Sequence, residues 1–351
     1  MVMATRDVVD LRGLVDRRLD ELLDGEMARL AFLGEDDRET LRRHLVEFVR
    51  VGGKRLRPSF VYWGHRAAGG SPDDTDAVLA AGCAVELLHA SAMMLDDVMD
   101  EAATRRGRTT AHLALAERHR GSGWWGDPAR YGESVAILMA MLAFTWADAA
   151  LLDGGPGLAE ALAVFTQLRV EIIGGQYLDL AYTARGVNGL EAATRVSTYK
   201  SGKYTVERPL HLGHAIAGGD PALRDVLSAY ALPLGEAFQL RDDVLGVFGD
   251  PARTGKPAGA DLRQRKRTYL TAETRERADG HGIALLDGVH DEEDVTAARE
   301  LIVTTGALDA VERRISTLVA TSVTALDDPR VPADARAALA DLAGAATSRT
   351  S

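Results

Sequence analysis

The sequence predicts an all-α protein, built as a bundle of long helices. Apolar residues recur at helical spacing along nearly the whole 351-residue chain, and no convincing strand alternation is present. Alanine and leucine abound while aromatic residues make up only 5% of the sequence, a composition that favours helices. No linker is long or polar enough to divide the chain. A single domain covering 1–351 is therefore expected, with 347–351 frayed.

Segments rich in glycine and proline mark the ends of the predicted helices. The sequence Ser-Pro-Asp-Asp at 71–74 is typical of a helix start, because it offers a cap and early acidic residues. The most apolar stretch, 135–152, is interrupted by Thr145 and Asp148, and its run before Asp148 is shorter than the ~20 residues of a membrane span. We expect a buried core helix there and no membrane span. The predicted helices cover 7–32, 36–50, 55–69, 73–99, 110–119, 132–152, 158–184, 189–217, 221–247, 267–277, 291–304, 306–325 and 332–345.

Charge and cysteine usage exclude several classes of protein. The net charge of -11 argues against a general nucleic-acid binder. The single cysteine, Cys83, allows no internal disulfide and fits a reducing compartment. The N-terminal segment carries acidic residues early and has no apolar signal core, so a cytoplasmic protein is expected.

Two aspartate clusters stand at the C-terminal ends of long apolar helical patterns. The first comprises Asp96, Asp97 and Asp100, and the second comprises Asp242 and Asp243. Residues 96 and 100 share one helix face, one turn apart, where like charges repel unless a cation neutralises them. Mg²⁺ commonly binds through a few carboxylates together with substrate phosphates, so it is the predicted metal.

Basic residues occur in two short motifs that suit anion binding. Lys54 and Arg57 flank the start of a helix, after Gly52-Gly53 and with Pro58 in the first turn. Glycines at 52 and 53 are expected to make the tight turn. Arg105 and Arg106 follow the first aspartate cluster in the sequence RRGR. Further lysine candidates are Lys200, Lys203, Lys256 and Lys266, of which Lys203 is expected to be a surface charge, as is Arg267.

His89 lies seven residues before Asp96 and therefore on the same helix face. A lone histidine in an apolar helix is usually a hydrogen-bonded core residue, but this face already holds two carboxylates.

Without any family comparison, the residues describe a helical bundle with bound Mg²⁺ and two groups of phosphate-binding cations. Such a site suits two diphosphate substrates, and the apolar interior suits a hydrocarbon tail.

The chain resembles the trans-isoprenyl diphosphate synthases of the polyprenyl synthetase family. The similar segments occur in the family's order and cover roughly 52–268. The resemblance implies the isoprenoid synthase fold, a helical bundle around a deep central cavity, usually as a homodimer. It also implies Mg²⁺-dependent, head-to-tail joining of isopentenyl diphosphate to an allylic diphosphate. The segments are GGKRLRP, ELLHASAMMLDDVMD, RRGR, GGQYLDL, YKSGKY, FQLRDDVLGVFGD and GKPAGADLRQRKRT.

The resemblance also implies roles for individual residues. The two aspartate clusters would bind Mg²⁺ from opposite sides. Isopentenyl diphosphate would be held by Lys54, Arg57, His89 and Arg106. The allylic diphosphate would be contacted by Arg105, Lys200 and Lys256, with Ser201 and Gln239 nearby. Gln176 and Asp179 lie in a similar segment, and their roles are left open.

Product length is predicted from the helix that carries Asp96. Family members that stop at C15 often have bulky aromatic residues about one turn before this cluster, where this chain has the small Ser91 and Ala92. One helical turn spans about 5 Å, close to one isoprene unit, so Leu88 would limit a longer chain. Geranylgeranyl diphosphate, C20, is the expected product, with farnesyl or longer diphosphates as alternatives.

The chain departs from the family pattern at several positions. Gly246 stands where the second cluster frequently has a fifth-position aspartate, and Thr109 stands where proline is usual. Ala140-Met141 replaces a common Gly-Asp pair, and Ser201 replaces threonine. The change at Met141 is expected to alter packing, product length or activity.

Two other classes of function are weighed. A class I terpene cyclase shares the fold, but it usually carries an Asn/Ser/Glu metal motif, and Asn188 lacks suitably spaced partners. A non-catalytic partner subunit would not need the intact aspartate clusters and cation motifs. The synthase therefore fits the sequence best.

Overall fold

The structure is a computed structural model that describes residues 10–51, 53–73, 75–155, 158–250 and 259–348. These residues are predominantly helical, which confirms the all-α class. The helices are α1 (Leu11–Arg29), α2 (Glu35–Leu41), α3 (Glu47–Arg50), α4 (Leu56–Ala67), α5 (Asp76–Met99), α6 (Ala111–Gly121), α7 (Pro128–Leu152), α8 (Leu158–Arg185), α9 (Leu190–Ser197), α10 (Arg208–Ile216), α11 (Pro221–Phe248), α12 (Ala260–Arg263), α13 (Tyr269–Arg277), α14 (Gly280–Asp287), α15 (Glu292–Thr304), α16 (Ala307–Ala325) and α17 (Ala333–Thr347). A 3₁₀ turn covers Ala31–Leu33, and π-helical stretches cover Arg42–Val46 and Thr198–Glu207.

A short antiparallel hairpin follows α5, although the sequence predicts no strand. It pairs β1 (Thr104–Arg105) with β2 (Arg108–Thr109). The two turn residues both have positive φ, 52° at Arg106 and 73° at Gly107, as a two-residue hairpin requires. Strands of two residues are too short for an alternating pattern to be visible in the sequence.

Helix α14 is also absent from the sequence-based prediction. Its sequence, GHGIALLD, carries two glycines, which weaken helix propensity. The side chain of Asp279 accepts a hydrogen bond from Gly282 N at 2.9 Å and caps the helix. Leu286 is buried, so tertiary packing compensates for the weak local signal.

Helices α5 and α11 form the centre of the bundle and carry the two aspartate clusters at their C-terminal ends. Most of α5 is buried, from Val78 to Met94, in a core shared with α1 and α7. Helix α11 contributes to two further cores, one with α17 and one with α13, α15 and α16. Placing two long helices in the interior brings both clusters to one cavity, as described below.

Helix α7 belongs to the core, as its composition predicts, but only one of its faces is buried. Within the described residues, α5 and α7 are long and apolar enough to cross a membrane by length and composition; their most apolar windows are 78% and 44% buried. One face of α7 packs on α5, while Ile137, Leu138 and Met141 are exposed on another face. Met141 therefore lies outside the residues that line the cavity.

The predicted helix 189–217 is continuous, but its middle section, Thr198–Glu207, is π-helical. Here α8 approaches so closely that a β-carbon on Gly175 would collide with the backbone of Lys200. Gly202 and Gly235 likewise allow the π-helical stretch to contact α11. π-Helical turns are often found at functional sites, and this one carries Lys200.

Candidate active site

Residues of both aspartate clusters, Asp96 from the first and Asp242 and Asp243 from the second, line one cavity of about 340 Å³. Five carboxylates and three basic side chains line it, which makes it strongly charged. Apolar lining comes from the neighbouring helices, including Met93 from α5. The lining residues are Met93, Asp96, Asp179, Ala193, Val196, Ser197, Lys200, Ser201, Gln239, Asp242, Asp243, Leu245, Gly246, Asp261, Lys266, Arg267, Thr268 and Tyr269.

In the first cluster, Asp96 is the carboxylate that faces the cavity. Arg105 Nη2 donates to its Oδ2 at 3.1 Å, and Lys200 Nζ lies 3.2 Å from its Oδ1. Burial would raise the pKa of Asp96, but Lys200, Lys266 and Arg105 together hold it at about 2. The carboxylate is therefore ionised at any physiological pH. Asp100 is bonded to Lys266, whose Nζ lies 2.8 Å from Oδ2.

Asp97 has different surroundings, although it is the next residue in the chain. It is only 4% exposed, and its Oδ1 accepts a hydrogen bond from Arg105 Nε at 2.7 Å. It lines a second cavity, of about 210 Å³, together with Arg106. Burial raises the pKa of Asp97. Its predicted role as a metal ligand stays a prediction, and in this structure its carboxylate orients Arg105.

Lys200 links the first cluster to α8. Its Nζ donates to Asp179 Oδ2 at 2.6 Å, on the side opposite Asp96. Burial would lower the pKa of Lys200, but Asp96 and Asp179 outweigh burial and raise it, so the side chain stays cationic. Ser201, the next residue, lines the cavity as its predicted role requires.

In the second cluster, Asp242 and Asp243 both line the cavity, but Asp243 is only 4% exposed. Asp243 accepts hydrogen bonds from Gln239 Nε2 at 2.8 Å and from Tyr269 N at 3.0 Å. Burial raises the pKa of Asp243 to about 8. Gln239 therefore contacts Asp243 directly, and its predicted contact with the allylic diphosphate is untested.

The missing fifth-position aspartate has a structural explanation. A β-carbon on Gly246 would collide with the carboxylate of Asp261, which comes from α12. Glycine thus leaves room for a carboxylate from another segment to lie beside Asp242 and Asp243 in the cavity wall. A third carboxylate, that of Asp261, therefore lines the cavity together with Asp242 and Asp243.

The residues predicted to hold isopentenyl diphosphate lie near the start of α4. Tyr204 Oη lies 2.5 Å from His89 Nδ1, and the Arg57 guanidinium stacks on the Tyr204 ring at 4.3 Å. Arg57 Nη2 also donates to Thr205 Oγ1 at 3.1 Å. Burial and nearby arginines hold the pKa of His89 well below its usual value, so the imidazole is neutral.

The turn before α4 is built differently from the prediction. Gly52 lies outside the described residues, Gly53 has no positive φ, and it is Arg55 that adopts φ 51°. Arg55 is tied to Glu86 at 2.5 Å and to Asp16 at 2.8 Å, which stabilises this conformation. Lys54 is thereby left exposed beside the helix start.

Arg106 lies on the hairpin turn and donates to the Val51 carbonyl at 2.6 Å. This bond joins the RRGR hairpin to the segment that leads into the GGKRLRP motif. The two basic motifs predicted to bind isopentenyl diphosphate are therefore held together.

The residues predicted to set product length do not line the 340 Å³ cavity. Ser91 and Leu88 are 1% and 2% exposed, and Ala92 is half-buried against the same core. Instead, Met93, three residues before Asp96, lines the cavity. In this structure the residues of α5 that line the cavity are Met93 and Asp96.

Two cations expected at the surface are in fact engaged, which corrects that prediction. Lys203 Nζ lies 2.7 Å from Glu207 Oε2, and its side chain is only 15% exposed. Arg267 lines the cavity and donates to Asn188. Lys256 lies outside the described residues.

Asp261, Lys266, Asp179 and Tyr204 are site residues that sequence reasoning missed or left without a role. Each lies within one of the segments that resemble the family, so its position in a family motif could have marked it as a site residue. The sequence did not reveal that Asp261 would lie against Gly246, because the two positions belong to different helices.

The donor set suits a hard divalent cation. Oxygens of Asp96, Asp242 and Asp261 face one cavity, and oxygen ligands are those that Mg²⁺ prefers. Within the described part of the chain, no three His, Cys, Asp or Glu side chains already converge as a metal site. The first-cluster carboxylates are paired with Arg105, Lys200 and Lys266 instead. A metal would exchange these ion pairs for metal–oxygen contacts.

Comparison with known proteins identifies the family of this chain. The polyprenyl synthetase family profile matches residues 38–303, and the chain belongs to this family. A short chain isoprenyl diphosphate synthase of Methanothermobacter thermautotrophicus is 32% identical over 77% of this chain and 79% of its own. A geranylfarnesyl diphosphate synthase of Aeropyrum pernix is 30% identical over 77% and 81%. The protein is therefore an enzyme, a prenyltransferase of the prenyl diphosphate synthase class.

Solved structures of similar proteins have the same fold. A geranylgeranyl pyrophosphate synthase of Corynebacterium glutamicum, complexed with isoprenyl diphosphate and magnesium, is 40% identical with a TM-score of 0.93. That likeness covers 98% of this chain and 99% of the other. A second Corynebacterium glutamicum structure, of a putative geranylgeranyl pyrophosphate synthase, is 36% identical with a TM-score of 0.84 over 98% and 100%. These likenesses confirm the isoprenoid synthase fold.

Proposed function

We propose that this enzyme joins isopentenyl diphosphate to an allylic diphosphate, head to tail, and makes all-trans geranylgeranyl diphosphate with Mg²⁺ as cofactor. The observation that carries the proposal is the single cavity in which carboxylates from α5 and α11 meet Lys200 and Lys266. The likeness to the Corynebacterium glutamicum synthases supports C20. Farnesyl and longer diphosphates are the alternative products.

The charges of the cavity suit a leaving diphosphate. Mg²⁺ held by Asp96, Asp100, Asp242 and Asp261 would supply positive charge that the departing diphosphate needs. Lys200 and Lys266 are paired with these carboxylates now, and they would then be free to donate to diphosphate oxygens. Preorganised cations that stabilise developing negative charge lower the barrier to breaking the allylic C–O bond. Breaking that bond leaves an allylic carbocation. Met93 forms an apolar part of the cavity wall, which keeps water away from the carbocation.

Isopentenyl diphosphate would be held by Lys54, Arg57, His89 and Arg106. Arg57 keeps its guanidinium fixed by stacking on Tyr204 and bonding Thr205, so little rotamer freedom is lost when it binds phosphate. The isopentenyl double bond attacks the allylic carbon, a carbon–carbon bond forms, and a proton passes to the departing diphosphate. No protein nucleophile is needed.

The test is incubation of the purified protein with isopentenyl diphosphate and C5, C10 or C15 allylic diphosphates, with and without Mg²⁺. We expect Mg²⁺-dependent C20 product, identified by chromatography after dephosphorylation. A cyclic hydrocarbon from geranylgeranyl diphosphate alone would indicate a cyclase. Absence of any condensation in Mg²⁺ would overturn the proposal and favour a partner subunit.

Product length is tested in the same assay with Ala92→Phe. Ala92 is half-buried and directly precedes Met93 in the chain, and Met93 lines the cavity. An added aromatic ring at 92 would obstruct growth of the prenyl chain along α5. The expected result is a shift from C20 towards C15. A wild-type enzyme that makes only C15 would reject the C20 assignment.

We also propose that the enzyme is a homodimer. Exposed apolar side chains form a stripe on α7, Ile137, Leu138 and Met141, and another on α8, Val170, Ile173 and Tyr177. Arg169 bonds Asp148 at 3.0 Å and ties the two helices together beside these stripes. Exposed apolar patches of this kind mark interaction surfaces, and the same surface on a second copy is a chemically matched partner.

A further inference from the structure

A second group of buried charged residues lies outside the cavity lining, between α8, the π-helical stretch Thr198–Glu207 and α10. Arg208 makes two parallel hydrogen bonds to Glu171, from Nε and Nη2, both at 2.6 Å. Gln167 donates to the same carboxylate at 3.1 Å. Glu171 is 8% exposed, and Arg208 holds its pKa below the usual value although burial opposes this. The ion pair is thus permanent at neutral pH.

The network continues from Arg208 into α11. Arg208 Nη1 donates to His211 Nδ1 at 3.0 Å, and His211 Nε2 lies 2.9 Å from Ser228 Oγ. Ser228 in turn donates to Glu207 Oε1 at 2.9 Å. Lys203 reaches Glu207 at 2.7 Å and Glu171 at 3.6 Å. The polar atoms named here all have partners, so the network specifies one arrangement of four helical segments: α8, the π-helical stretch, α10 and α11.

These buried charges connect to the cavity through one face of α8. Glu171, Gly175 and Asp179 are four residues apart, so they line one face over roughly 12 Å. Gly175 contacts the backbone of Lys200, and Asp179 bonds its Nζ at 2.6 Å. Helix α8 therefore contacts this region at three successive turns. Glu171 bonds Arg208, the residue that follows the π-helical stretch, and lies 3.6 Å from Lys203 within it. Gly175 and Asp179 both contact Lys200, in the same stretch.

We propose that Glu171 and Arg208 are positioning residues for Lys200. The bidentate pair sets the position of the π-helical stretch along α8, and this places the Lys200 ammonium between Asp179 and Asp96. A π-helix has poorer intrinsic stability than an α-helix, so its position depends on tertiary bonds such as these. Neither Glu171 nor Arg208 lines the cavity, so each acts through Lys200 and not on substrate.

This inference rests on the proposed function, and it is tested by a double-mutant cycle in steady-state kinetics. Glu171→Gln keeps the shape of the side chain but removes its charge. We expect kcat/KM for the allylic diphosphate to fall about 10- to 100-fold, while KM for isopentenyl diphosphate changes less than about twofold. In a Lys200→Met background, Glu171→Gln should have little further effect, because the residue through which it acts is gone. Glu160→Gln, an exposed change on α8, is the matched control.

Equal losses from Glu171→Gln in the wild-type and Lys200→Met backgrounds would overturn the proposal, since they would show an action independent of Lys200. The double variant Glu171→Leu/Arg208→Met distinguishes positioning of Lys200 from a merely structural role. It removes both buried charges and should fold, because apolar replacement of a buried pair is often neutral or stabilising. We expect this variant to unfold at the wild-type temperature yet lose activity; full activity would refute the positioning role. Calorimetric binding of inorganic diphosphate with Mg²⁺ reports on Lys200 even if the wild-type enzyme makes no prenyl product, so the two proposals fail separately.

Discussion

At the scale of single residues, neighbouring aspartates have different properties. The cations Lys200, Lys266 and Arg105 hold the pKa of Asp96 at about 2, whereas burial raises the pKa of Asp97 next to it. Burial likewise raises the pKa of Asp243, to about 8. The carboxylates best prepared to bind a cation are therefore those with cationic partners and access to the cavity, Asp96 above all.

Gly246 offers a sharp test at this scale. Gly246→Asp restores the fifth-position aspartate that many family members carry, but the new side chain would collide with Asp261. We expect a loss of about 1–3 kcal/mol in the free energy of unfolding and a weaker response of activity to Mg²⁺. Gly25→Ala is the control, because that glycine is exposed in α1 with free space around it and should gain about 0.5–1 kcal/mol. Unchanged or improved activity in Gly246→Asp would show that Asp261 does not take the place of the missing residue.

At the scale of secondary-structure elements, α10 is stabilised by a buried histidine. Burial lowers the pKa of His211 to about 4, and Arg208 Nη1, which donates to Nδ1, adds to the cost of protonation. The imidazole therefore stays neutral in the folded protein, with Nε2–H directed at Ser228 and Nδ1 accepting from Arg208.

This predicts a specific pH dependence of stability. The unfolded chain binds a proton on His211 near pH 6.5, while the folded protein does so only near pH 4. Since the unfolded state binds more protons between these values, the free energy of unfolding should fall as pH is lowered from about 6.5 to 4. Denaturant unfolding of His211→Gln should show a shallower fall over this range. His214→Gln, on the same helix, controls for loss of a buried imidazole; an identical pH dependence in wild type and His211→Gln would contradict the assignment.

At the scale of the whole molecule, the striped faces of α7 and α8 leave apolar surface exposed on a single chain. Leu138 is 59% exposed and Ile173 60% exposed. An interface on this surface would explain why α7 is apolar on its exposed face as well as on the face that packs in the core. Met141 belongs to the same stripe, so its replacement of an aspartate bears on this surface and not on the cavity wall.

Assembly is measured directly by analytical ultracentrifugation. We expect the wild type to sediment with twice the mass of one chain, and Leu138→Glu or Ile173→Glu to shift it towards one chain, because a buried unpaired carboxylate opposes association. Val303→Glu, at an exposed apolar position on α15, should leave the mass unchanged. A wild type that sediments as a single chain at assay concentration would refute the homodimer.

The sequence by itself determined the helical class, the two aspartate clusters and most of the cations, because helical periodicity and motif spacing are local properties of the chain. It also determined the family, since the ordered motifs span much of its length. Only the tertiary structure decided that Asp261 lies against Gly246, that Asp97 turns towards Arg105, and that Met93 lines the cavity where Ser91 and Leu88 do not. It likewise decided that Glu171 and Arg208 meet, and that α7 exposes an apolar face. These features depend on contacts between segments that are distant in the chain, and such contacts cannot be predicted from a local sequence pattern.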